Sequence, residues 1–111
     1  MASSEIAIVE SAHGQYAVRG ALTFGTARRA LQAGVRAFAS GQGAIQLDLS
    51  GVGASDSAGL AVLIEWLAWG RRSGRQLRFA NVPDALQAIA RICEIEELIG
   101  GTHDAPAPAP R

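Results

Sequence analysis

Ile6 and Ile8 alternate with polar or small neighbours, and the two-residue period returns from Tyr16 to Arg19, after His13-Gly14-Gln15. Alternation of this kind lines one face of an extended chain with apolar side chains, so the two runs predict a β-hairpin, closed by Gly20. The period changes at Thr23. Phe24, Ala27, Leu31, Val35 and Phe38 recur every three or four residues, with Arg28, Arg29, Gln32 and Arg36 off that stripe. This predicts an amphipathic helix, with Thr23 as its N-cap and a stop near Ser40-Gly41. Residues 44–49 return to alternation, with Ile45, Leu47 and Leu49 on one face of a third strand. Residues 50–56 are small and read as a loop. A second helix is expected over 57–73, stopped by Gly74, then a strand over 76–80. Pro83 opens a third helix that runs to about Cys93. Residues 94–99 read as a short terminal helix or turn, and Gly100-Gly101 closes the folded part. The Ala-Pro tail over 104–111 offers nothing to a core and is expected to be disordered.

The order strand-strand-helix-strand-helix-strand-helix predicts an α/β fold. A strand, a helix and a second strand between 44 and 80 form a right-handed parallel crossover. Combined with the hairpin, that gives a mixed four-stranded sheet with the helices packed mainly on one face. One domain over residues 1–100 is expected, without internal repeats.

Composition narrows what such a domain does. Of 111 residues, 49% are hydrophobic and 18% charged, and ten basic residues balance ten acidic ones. So apolar a chain is not disordered over most of its length. Without a basic excess it is no electrostatic nucleic-acid binder. Its charge is low for a freely soluble monomer, which suggests a surface buried against a partner. The lone Cys93 forms no internal disulfide and reads as a core thiol in a reducing compartment. Residues 1–10 lack the basic-then-apolar order of a signal peptide. The most apolar stretch, 58–69, contains Glu65 and is too short to span a bilayer. A cytoplasmic location is expected, with no direct membrane insertion. His13 and His103 read as surface loop residues, and no metal or cofactor set emerges.

The junction at 51–59 leads from a strand end into a helix start, where free backbone N–H groups attract negative charge. Three catalytic or phosphate-binding motifs fail there. Gly51 and Gly53 begin a dinucleotide fingerprint, but Asp56 stands where its third glycine belongs, and an acid there repels a pyrophosphate. A P-loop needs a lysine, and the chain has none. A nucleophile elbow needs glycine where Ser57 stands, and no histidine is suitably placed. What remains is a helix cap, Asp56 or Ser57. A hydroxyl at that position is also a favourable place for a phosphate, although Asp56 alongside would repel it.

The run Ile45-Gln-Leu-Asp-Leu, then Val52, then Asp56-Ser57-Ala58-Gly59-Leu60 resembles the signature of STAS domains. That resemblance covers about residues 6–99. It implies the STAS fold, no catalytic activity, and partner binding through this loop and the helix after it. Two branches are similar. In anti-sigma factor antagonists the motif is Asp-Ser-Ser-Gly, and a partner kinase phosphorylates the first serine, which corresponds to Ser57. Here Ala58 replaces the second serine, and Ser55 stands where an apolar residue is usual. The other branch is the STAS subunit of the Mla ABC transporter, which moves phospholipid between bacterial membranes and underlies outer-membrane lipid asymmetry. There a hydroxyl residue after the aspartate contacts the ATPase subunit, and through it a permease. The segment from Gly74 to Pro83, followed by Leu86-Gln-Ala-Ile-Ala-Arg, looks closer to this second branch.

The helix after the loop carries two apolar stripes. Leu60, Leu63, Ile64 and Leu67 face the sheet. Val62, Trp66 and Trp69 fall on nearly the opposite side, flanked by Glu65 and Arg72. Either a neighbouring helix covers that second stripe, or it is a binding hot spot continuous with Ser55, Asp56, Ser57, Ala58 and Gly59. In the second case Ser57, Val62, Trp66 and Trp69 would contact the ATPase.

Overall fold

A computed structural model of the chain describes residues 5–100. Gly101, His103 and the tail at 104–111 lie outside the described residues. Seven elements follow the expected order: β1 (Ile6–Ala12), β2 (Gln15–Leu22), α1 (Ala27–Ala39), β3 (Ile45–Ser55), α2 (Ser57–Arg72), β4 (Leu77–Ala80) and α3 (Asp84–Ile92). They build the α/β fold, with one sheet in the order β1-β2-β3-β4. β1 runs antiparallel to β2. β2, β3 and β4 run parallel, linked through α1 and α2.

Both crossovers step in the same direction across the sheet, so their shared right-handedness puts α1 and α2 on one face. The side chains agree. Tyr16, Val18, Ile45, Leu47, Leu49, Leu77 and Phe79 are buried on the helix side. Between them Arg19, Gln46, Ser50 and Arg78 are exposed on the other. α2 lies over the central strands, with α1 against one flank and α3 against the other.

Three element boundaries differ from the sequence reading. β2 runs on to Leu22, past the expected close at Gly20. The small residues at 50–55 are strand, not loop. β3 continues alongside β2, pairing Gly51 with Arg19, Val52 with Gly20 and Ser55 with Leu22. It gains one residue over β2 at each of two irregularities, 17–19 against 48–51 and 20–22 against 52–55. Bulges of this kind favour small residues. At Gly51 a Cβ would stand 3.0 Å from the Val18 carbonyl oxygen.

α1 starts later than expected. Its N-cap is Thr26, not Thr23, and Phe24 is 84% exposed instead of packed. Periodicity placed Phe24 one turn before Ala27, but residues 23–26 form a turn rather than helix. The buried stripe of α1 is Ala30, Gly34 and Phe38, with Leu31 and Val35 at its margin.

Cys93 is exposed, contrary to the expected core thiol. α3 ends at Ile92, and the left-handed Glu94 (φ 61°) turns the chain back. Ile95 and Ile99 then reach the core in place of Cys93.

Candidate partner-binding site

Asp56 organises the junction between β3 and α2. Its backbone is extended, and one carboxylate oxygen accepts N–H bonds from Ala58 (2.9 Å) and Gly59 (3.2 Å). This is the N-cap arrangement, in which a side chain satisfies donors that the first helical turn leaves free. The other oxygen accepts the backbone N–H of Phe24 at 3.1 Å, across from the β2–α1 turn. The Asp56 N–H donates to the Leu22 carbonyl at 3.2 Å. One residue therefore ties the ends of two adjacent parallel strands together.

Gly59 tightens the same junction. It is buried against the end of β2, and a Cβ there would collide with the Leu22 carbonyl. Only glycine allows so close an approach of helix and strand. Ser55 and Ala58 are half-buried beside it, the Ser55 hydroxyl donating to the Gly53 carbonyl at 3.3 Å. Ser57, the first residue of α2, is exposed. It sits at the positive end of the α2 dipole, beside an acid already engaged in capping.

The structure thus brings Ser55, Asp56, Ser57, Ala58 and Gly59 together, but the second stripe of α2 does not extend them. Val62 is 1% exposed and Trp66 fully buried. α1 covers Trp66, with Gly34 providing the room: a Cβ at Gly34 would overlap the Trp66 indole. α2 rests on the sheet with α1 on one flank and α3 on the other, so both of its apolar stripes are packed. Trp69 is half-buried, tilted against Phe38 (5.7 Å between centroids) and covered by the Arg75 guanidinium at 5.6 Å. The face that α2 shows to solvent is instead Ser57, Ala61, Glu65 and Arg72. These fall within one narrow arc at 100° per residue.

The aromatic side chain actually exposed at this end is Phe24. Its turn is closely fixed. The Thr26 hydroxyl, fully buried, donates to the Ala21 carbonyl at 2.7 Å and accepts the Thr23 N–H at 3.0 Å. The Thr23 hydroxyl accepts the Gly25 N–H at 3.2 Å. Thr-Phe-Gly-Thr between a strand and a helix is itself a turn signal, and would have marked Phe24 as a loop-tip residue. Leaving a phenylalanine in water forgoes about 1.5–3 kcal/mol of burial free energy.

Among the described residues no group of three His, Cys, Asp or Glu side chains could hold a metal ion, and no helix is long and apolar enough to cross a membrane.

A family model described as Mlab, STAS domain matches residues 9–100. The chain belongs to the STAS domain family. Several solved structures share its fold. A sulfate transporter family protein from Wolinella succinogenes superposes with a TM-score of 0.61 at 22% identity, over 84% of this chain and 75% of that one. The anti-sigma factor antagonist SpoIIAA, in its unphosphorylated form, gives 0.60 at 11% identity, over 79% and 83%. SLC26A9 gives 0.62 at 15% identity, over 78% of this chain but only 17% of its own length. A comparison with curated proteins gives no match. STAS domains are generally non-catalytic regulatory domains that partner with transporters or kinases. That places the interest of this STAS domain on its surface.

Proposed function

We propose that this STAS domain is a non-catalytic accessory subunit of an Mla-type ABC transporter. It binds the ATPase subunit on the cytoplasmic side of the inner membrane and regulates or stabilises it during phospholipid trafficking. The observation that carries this reading is the exposed Ser57 on a junction braced by Asp56 and Gly59, in a chain whose family model is of the Mlab type. A hydroxyl held on a rigid helix start is a defined point of contact, and little conformational entropy is lost when a partner engages it. No nucleic acid and no cofactor enter this reading.

Co-purification with the ATPase of the same transporter tests it. The unaltered chain is expected to form a stable complex and change the ATPase rate, whereas Ser57→Arg, folded by circular dichroism, is expected to lose the complex. Failure of the unaltered chain to bind would reject the assignment.

The fold likeness to SpoIIAA favours a second reading, anti-sigma factor antagonism switched by phosphorylation of Ser57. It predicts phosphoserine at Ser57 in cells and binding to an anti-sigma factor kinase. Intact-mass spectrometry of the native protein separates the two readings.

A further inference from the structure

We infer that Phe24 is the aromatic anchor of the ATPase interface, inserting into an apolar pocket of that subunit whose rim is acidic. The inference rests on the assignment of the β3–α2 junction as the ATPase-binding surface. It goes beyond that assignment by placing the binding free energy on a different loop, and by giving the chemistry of the partner.

Three observations converge on Phe24. Its ring is 84% exposed at the tip of a turn held by the Thr23 and Thr26 hydrogen bonds. Its backbone N–H donates to the carboxylate that caps α2, so the same side chain positions both the ring and Ser57. An anchor whose backbone is already fixed loses little freedom on binding, and aromatic side chains dominate interface hot spots.

The third observation is charge. No acidic residue occurs between Glu10 and Asp48, while Arg19, Arg28, Arg29 and Arg36 fall in that interval. Arg28, exposed, lies in the first turn of α1 directly after the Phe24 turn, and that helical turn contains no acid. Cations at the positive end of a helix dipole are locally unfavourable. Carboxylates around the partner's pocket would relieve that arrangement. Rim charges of this kind act mainly on association rate and salt dependence, whereas the buried ring sets the dissociation rate.

The test is titration of the full chain against the purified ATPase subunit by calorimetry, at low and at high salt. Phe24→Ala is expected to weaken binding about 30-fold or more, as loss of a hot-spot residue does. Its thermal midpoint should not fall, because the ring contributes nothing to the core. Phe24→Leu should recover part of the affinity. Arg28→Glu should weaken binding by a smaller factor and flatten its salt dependence. If Phe24→Ala binds within about 3-fold of the unaltered chain while Ser57→Arg does not bind, the anchor is refuted and the ATPase assignment stands. If the unaltered chain fails to bind, both fall. If sedimentation shows a dimer that Phe24→Ala dissociates, with ATPase binding unchanged, the ring serves self-association and the inference is overturned.

Discussion

At its N-terminal end α2 shows solvent a serine, beside an exposed phenylalanine ring tied to the same capping carboxylate. At its C-terminal end two tryptophans close against Phe38, which in turn meets Tyr16 edge-on at 5.3 Å. Arg75 seals that end. Its guanidinium donates to the carbonyls of Phe38 and Gly43 and lies over Trp69. Aromatic content alone thus does not distinguish a binding surface from a core. What distinguishes them is whether a neighbouring element leaves room. Gly34 lets α1 come down over Trp66, whereas among the described residues nothing buries Phe24, which is 84% exposed.

The contrast can be broken most severely at the sealed end. Trp66→Ala should destabilise the domain by about 3–5 kcal/mol, read as a lower midpoint in urea, since it removes the largest fully buried side chain. The presenting end has its own structural limit. Gly59→Ala should cost about 3 kcal/mol, because the new methyl meets a backbone carbonyl that cannot rotate away. A smaller loss, about 1–2 kcal/mol by the same measurement, is expected of Asp56→Ala, which removes the cap and leaves the Phe24 N–H without its acceptor. Ser57→Ala should shift stability by less than about 0.5 kcal/mol in a thermal melt, since an exposed hydroxyl supports no packing.

The smallest effect lies away from both ends, on the open face of the sheet. The Asn81 amide and the Ser50 N–H donate to Asp48 and hold its carboxyl below the ordinary value of 3.8. Because the folded chain favours the carboxylate, this contribution is complete above that value and is lost as pH falls through the lower folded-state pKa. Asn81→Ala should therefore narrow the difference in stability between pH 6 and pH 3 slightly, measured by urea unfolding at both.

The periodicity of residues 27–38 and the alternation at 45–49 carried the fold, because each has one buried face and one wet one. Reading failed where that assumption failed. Val62 and Trp66 fall outside the Leu60-Leu63-Ile64-Leu67 stripe, yet both are buried, Trp66 against Gly34 of α1. No pattern within one helix reveals a second neighbour. Phe24 fits the helical period of α1 but belongs to the turn before it, and Thr23 and Thr26 are equally good caps by residue type. The glycines and serines of 50–55 carry weak strand preference, and they extend β3 only because β2 is there to pair with them. At the junction the cap was legible as Asp56 or Ser57, because capping acts through local geometry, whereas the approach of Gly59 to Leu22 joins distant segments and was not. The bond from Phe24 to Asp56 spans 32 positions, and nothing in either segment announces it.

The contact between Gly59 and Leu22 has a bearing on signalling. A helix start pressed against a strand end, with no room for one methyl group, has no slack through which to pivot. A modification or partner that reached Ser57 would meet a helix start backed directly by a strand end. Information passed through this junction would be carried by which charges and surfaces it displays, with the scaffold behind it holding still.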